Sequence, residues 1–331
     1  MSEKSSKFAF IFLLLSAFSQ FANSQGNSEF GHSQGNSECH DYKETVISFV
    51  EIQSIDLLKQ PPSPLIVKGK LQLPTFSPQQ KCFAPANKAP AVVILHGSSG
   101  IDSRGDFYAS ALNAAGIATL EIDMWEARGV TGAGDRPPLP IYTYPDAFAA
   151  LAFLSRHDAI NPNRIGVLGF SWGGVIALAS AEELYTKQFG QGRMFAAHVA
   201  HYPICYGYNN PDIPALNPPD QRGTQFLNLT GSPVLIQIGT EDDYDNGADN
   251  CYALLDDVVD PDDKRLVEVV AYEGAFHAWD RLQVPITVLD PFGDEGSVFS
   301  TGKVPEVKLV PDVEKAYASR RKAVQFFLRN M

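Results

Sequence analysis

Ser171, Asp242 and His277 have the types and the chain order needed to activate a hydroxyl for attack on a carbonyl carbon. Ser171 is the centre of a G-x-S-x-G segment, Gly169 to Gly173, that ends an apolar run and opens a stretch of helical period. So tight a turn puts the serine in a strained backbone conformation, and only glycine at the flanking positions leaves room for strand and helix to meet. A serine hydroxyl is a weak nucleophile until a base takes its proton, and that base needs a third group to orient it. His277 closes the segment Glu273-Gly274-Ala275-Phe276-His277, and Asp242 lies in Gly239-Thr240-Glu241-Asp242-Asp243. Each follows an apolar run, so all three are expected at one edge of a sheet. Asp242 is favoured over Asp243, which reads as a solvated or loop-capping neighbour.

The remaining histidines fit other roles. His32 and His40 lie in a polar amino-terminal stretch, His157 ends a helical segment, and His96 is placed to shape a loop. His198 and His201 are three apart on a strand, face opposite sides and make a poor metal pair. Acyl transfer also needs donors where negative charge develops on the substrate oxygen. The backbone N–H of Trp172, just after the serine, is one. The loop His96-Gly97-Ser98-Ser99-Gly100 supplies the other, with Ser98 the expected donor.

Positioning these groups requires a particular set of elements. Near-continuous apolar runs at 91–95, 117–122, 164–170, 195–201, 233–238 and 265–271 suit parallel strands buried on both faces. Helical segments are expected at 104–115, 145–157, 172–185, 246–259 and 312–328, and strands at 45–55 and 64–73 as an antiparallel edge. Alternation of this kind gives an α/β fold, a doubly wound and mostly parallel sheet with helices on both faces. The three reactive residues lie up to 106 positions apart and must converge, which requires one catalytic domain. Two irregular stretches, 206–232 and 280–311, are long enough to cover a site.

Of the 331 residues 44% are hydrophobic, enough for a large core, and the formal charge of −12 disfavours nucleic acid as a partner. Lys4 and Lys7 precede an apolar run at 8–18, too short for a helix to span a bilayer. Residues 1–24 therefore read as a signal peptide cleaved after Ser24, leaving no stable membrane span, and the protein as secreted or periplasmic. Two copies of Ser-Gln-Gly-Asn-Ser-Glu make 25–40 a flexible tether, so the folded domain covers 41–331. In an oxidising compartment Cys39, Cys82, Cys205 and Cys251 suggest two disulfides, with three possible pairings. No zinc spacing is present, and the chemistry requires neither metal nor organic cofactor.

From Ala91 to His277 the chain resembles the dienelactone hydrolase family of α/β-hydrolases. The resemblance rests on the Leu95-His96-Gly97-Ser98-Ser99-Gly100 loop, Ala114-Ala115-Gly116, the Asn163-Arg164-Ile165-Gly166 lead into the serine turn, and the segments holding Asp242 and His277. It implies a Ser171, Asp242, His277 triad with Ser98 and Trp172 as oxyanion donors. The family's namesake enzymes use a cysteine nucleophile and carry a glutamate on the loop after the first parallel strand, where this chain has Ser171 and Gly97. A serine implies hydrolysis of a small carboxylic ester or lactone through an acyl-enzyme. A serine peptidase of the same fold and a secreted binding module with an idle triad are the alternatives. The resemblance also implies a Cys205–Cys251 disulfide, and the preferred pairing adds Cys39 with Cys82. Arg128, after Trp125, matches a family segment near the pocket and is expected to hold a substrate carboxylate or to serve as an ion-pair partner.

Overall fold

The apolar runs fold as strands of a single sheet: β1 (Tyr42–Asp56), β2 (Ser63–Phe76), β3 (Ala89–Leu95), β4 (Ala118–Asp123), β5 (Ile160–Phe170), β6 (His198–His201), β7 (Val234–Glu241) and β8 (Val267–Phe276). Their spatial order is β1-β2-β4-β3-β5-β6-β7-β8. β1 pairs with β2, and β2 with β4, antiparallel; all the other pairs are parallel. Val92 to Leu95 are fully buried, as expected of a strand covered on both faces. The computed structural model describes residues 42–76, 88–209, 228–257 and 261–331, which lie within one compact unit, His40–Met331. The signal peptide at 1–24, the tether at 25–40, Cys39 and Cys82 lie outside the described residues.

The helices are α1 (Ser103–Ala114), α2 (Tyr144–Ser155), α3 (Trp172–Ala179), α4 (Glu183–Phe189), α5 (Tyr206–Asn209), α6 (Asp249–Asp257), α7 (Pro261–Lys264), α8 (Gly293–Ser300) and α9 (Val313–Asn330). Two glycines of β5 show that both faces of the sheet are covered. A Cβ on Gly166 would lie 2.6 Å from Phe327 of α9, and one on Gly169 would lie 1.9 Å from the carbonyl oxygen of Gly173 in α3. Residues three apart on a strand point to opposite faces, so α9 and α3 sandwich β5. α1 packs with α9, and α2 packs with α3 and α4. Side-chain caps start α1 and α9, where Asp102 and Asp312 accept hydrogen bonds from the N–H groups of Arg104 and Lys315.

Two expectations need correction. The single helix expected at 172–185 is two helices, because Glu182 takes an extended conformation and bridges to Leu229, which interrupts the helical path. The stretch 280–311 is not irregular throughout. It holds an antiparallel ribbon of β9 (Ile286–Leu289) and β10 (Glu306–Leu309), with α8 between them. In the other long connection, Tyr206–Asn209 is helical and 210–227 lies outside the described residues.

The break between α3 and α4 buries a carboxyl group. Glu182 is 2% exposed, and its Oε2 has no hydrogen-bond partner among the described residues. Burial pushes its pKa from 4.5 up to about 8. Between these two values the folded state holds a proton that the unfolded chain has released, so stability falls as pH rises through this window and levels off above it. The Glu182→Gln variant should therefore melt close to the parent near pH 5 and above it at pH 9. A melting difference that is the same at both pH values would rule this out.

Candidate active site

β5 ends and α3 begins at Ser171, whose φ of 51° and ψ of −111° lie outside the usual range for a residue with a side chain. Packing holds that strain. The Ser171 N–H donates to the carbonyl of His201 at 3.0 Å, and the Ser171 carbonyl accepts from the Val175 N–H at 2.8 Å. A Cβ on Gly173 would meet the Leu95 carbonyl oxygen at 2.3 Å, so glycine is required for α3 to approach β3.

Asp242 follows β7 and His277 follows β8, and both come to the sheet edge where Ser171 sits. The Nε2 of His277 is 2.9 Å from the Oγ of Ser171, and its Nδ1 is 2.8 Å from Oδ2 of Asp242. A carboxylate only accepts, so Nδ1–H donates to Asp242 and Nε2 is left to accept from the serine hydroxyl. The other carboxylate oxygen, Oδ1, accepts from the Tyr244 N–H at 2.9 Å, which fixes the Asp242 side chain. All three residues are buried, with Ser171 the most exposed at 7%. The Tyr244 and Tyr202 rings lie 4.2 and 4.6 Å from the imidazole and confine it. Asp243 is engaged elsewhere: its Oδ2 accepts from the Lys308 N–H at 2.8 Å and its carbonyl from the Asp294 N–H.

The other buried histidines shape the fold. His96 donates from Nδ1 to the Gly97 carbonyl at 2.8 Å and accepts at Nε2 from the Met124 N–H at 3.0 Å, and burial lowers its pKa to about 4. His198 contacts Ser180 on the α3 side, whereas His201 contacts Gln237 and the rings of Tyr108 and Trp279 on the other. Burial lowers both to about 3, which keeps them neutral at ordinary pH.

Ser98 sits in a turn closed by the Gly100 N–H donating to the Gly97 carbonyl at 3.0 Å, and its own carbonyl accepts from Trp125 Nε1 at 3.0 Å. Trp172 occupies the first position of α3, where a backbone N–H has no partner within the helix. Both residues line one apolar cavity with Ser171. That cavity has a volume of about 30 Å³, room for about two water-sized groups. A larger cavity of about 180 Å³ reaches Ser171 from the side of His277, Arg104 and Arg281. Ser171 thus stands between a narrow apolar pocket and a wider, more polar one.

The expected substrate-binding role of Arg128 needs correction. Its guanidinium makes hydrogen bonds of 2.6 and 3.2 Å to Asp146 and one of 2.9 Å to the Met124 carbonyl, and both charged side chains are buried. It lines neither cavity that reaches Ser171. Arg128 is therefore the ion-pair partner, here a buried one that ties the segment after β4 to α2. Arg136 is the arginine at the narrow pocket, a residue that sequence reasoning missed, as it missed Asp290 and Phe292. They lie on irregular segments whose spacing carries no periodic signal.

Cys205 and Cys251 form a disulfide, as the resemblance implied, with Cα atoms 5.0 Å apart. Beside it, Asp245 accepts from the N–H groups of Cys205 and Tyr206 at 2.8 and 2.7 Å, and burial pushes its pKa up to about 8. The bond and these contacts brace the loop that carries Asp242. Both sulfurs are used in the disulfide, so Cys205, Asp245 and Cys251 do not form a metal site.

The model of the alpha/beta hydrolase family matches residues 92–326. A sequence comparison with curated proteins finds no match. Among solved structures, a Klebsiella pneumoniae protein crystallised as a candidate dienelactone hydrolase has a TM-score of 0.53 at 16% identity, covering 86% of this chain and 99% of that one. The hyperthermophilic esterase of the archaeon Pyrobaculum calidifontis has a TM-score of 0.51 at 16% identity, covering 87% and 85%. Thermogutta terrifontis esterase 2, crystallised phosphorylated by paraoxon, has 0.51 at 15%, covering 79% and 88%. At these identities the shared property is the fold.

Proposed function

The chain belongs to the alpha/beta hydrolase family, and from that premise we propose that it is a serine hydrolase of carboxylic esters or lactones, acting through an acyl-enzyme. The observation that carries this reading is the hydrogen-bonded series from Ser171 Oγ through His277 to Asp242, at 2.9 and 2.8 Å. Ser171 Oγ attacks the carbonyl carbon as its proton passes to Nε2 of His277. Negative charge on the carbonyl oxygen is met by the N–H groups of Ser98 and Trp172, and Asp242 stabilises the imidazolium. When the tetrahedral intermediate collapses, the C–O bond to the alcohol breaks and the alcohol leaves with the proton from Nε2. Water then attacks the acyl-enzyme, His277 takes its proton, and the acid is released with Ser171 restored. No step requires a metal or an organic cofactor.

Export belongs to the same reading, with residues 1–24 as a signal peptide and the Cys205–Cys251 disulfide suited to an oxidising compartment. Among the described residues no helix is long and apolar enough to cross a membrane.

A fluorophosphonate probe tests the reading, because only an activated serine attacks its phosphorus. The Thermogutta esterase was phosphorylated by paraoxon. One adduct per chain is expected, mapped to the peptide holding Ser171 and absent when the protein is heat-denatured before the probe is added. An unmodified protein, or an adduct on another residue, would overturn the assignment.

A further inference from the structure

The narrow apolar cavity beside Ser171 has two charged residues in its wall. Arg136, on the segment between β4 and α2, faces Asp290, just after β9, and the two exchange parallel contacts: Nη1 to Oδ2 and Nη2 to Oδ1, both 2.9 Å. Their side chains are only 10% and 6% exposed. The guanidinium lies over the rings of Trp172 and Phe292, 5.7 and 5.9 Å from their centroids. Asp290 also accepts from the Phe292 N–H at 3.0 Å, and the same cavity is lined by Tyr244, whose ring packs on His277. One carboxylate therefore joins the wall after β4 to the ribbon excursion.

We infer that the Arg136–Asp290 ion pair is the specificity determinant of the acyl pocket, holding it to short acyl groups. This rests on the serine hydrolase reading and deepens it. A bidentate guanidinium–carboxylate pair is fixed in direction as well as distance. An aliphatic side chain in the same wall could change rotamer to admit a longer chain. The pair cannot do so without leaving two largely buried charges unpaired. Bounded in this way, the narrow cavity of about 30 Å³ suits an acetyl or propionyl tail better than an octanoyl one.

The test compares kcat/KM for p-nitrophenyl acetate and octanoate. The parent should favour acetate by about tenfold or more. The Arg136→Ala/Asp290→Ala double variant should raise the octanoate-to-acetate ratio at least about tenfold. The single variants guard against loss of folding in the double one, and loosened packing alone would not reproduce their outcome. Arg136→Ala leaves a carboxylate facing the opened space, so it should favour an acyl chain ending in a quaternary ammonium over a neutral chain of equal length. Asp290→Ala should favour a chain ending in a carboxylate. A parent that takes octanoate as readily as acetate, or folded variants that keep the parent profile, would overturn the inference while leaving the hydrolase reading intact. A parent that neither hydrolyses any ester nor takes the fluorophosphonate would overturn both.

Discussion

Replacing Ser171 with alanine is expected to lower kcat/KM for p-nitrophenyl acetate by roughly 10⁴- to 10⁶-fold while leaving the melting temperature within a few degrees of the parent's. Removing Oγ takes away the atom that would bond to the acyl carbon, and among the described residues no other side chain hydrogen-bonds His277 Nε2 to replace it. The backbone reason for expecting an intact fold is equally specific. The strained φ of 51° is imposed by the Ser171 N–H bond to the His201 carbonyl and by the packing of Gly169 against Gly173, and alanine meets the same constraints with one atom fewer. Residual turnover above the uncatalysed rate should persist, because the N–H groups proposed to meet the oxyanion, those of Ser98 and Trp172, are unchanged. Turnover at the parent rate in a pure sample would remove Ser171 from the mechanism.

Asp242→Asn is expected to cost roughly 10³- to 10⁴-fold in kcat, again in a folded protein. Asparagine conserves the shape and can still accept the Tyr244 N–H through its carbonyl oxygen, but that places its NH₂ group against Nδ1 of His277. Two donors cannot pair, so the imidazole shifts its proton to Nε2 and can no longer accept from Ser171. Asp243→Asn is the matched control. Its side chain accepts from the Lys308 N–H, a role that an amide oxygen fulfils, so its turnover should stay within a few-fold of the parent. Comparable losses in the two variants would mean that Asp242 acts through loop structure. A loss confined to Asp243→Asn would transfer the role to the neighbour.

The legible and the illegible parts of this protein differ in how far apart the deciding residues lie. The serine turn could be read because its requirements are local: an apolar run, a glycine two positions before Ser171 and another two after it. The strand positions could be read because burial on both faces leaves a near-continuous apolar record, and β3 is as buried as its run of valine, isoleucine and leucine implies. His277 could be separated from six other histidines by its place just past a strand, and the structure brings its ring to Ser171. The helix break at Glu182 could not be read, since it depends on a bridge to Leu229 beyond the next three elements. The β9–β10 ribbon is short and largely exposed, so it leaves little apolar pattern.

The arginines show the boundary most sharply. Arg128 and Arg136 stand eight positions apart between β4 and α2, and from sequence only the first is expected near a pocket. Which one reaches it depends on the acid each meets, Asp146 on α2 for Arg128 and Asp290 for Arg136, 154 residues away. The sequence alone determined the order of the sheet strands, the serine turn and the class of chemistry, because strand burial, glycine conformation and the need for a base are properties of short segments. The tertiary structure alone decided which charges are spent on the fold and which bound the pocket. A long side chain takes its role from the partner that packing brings to it, and no local pattern records that partner.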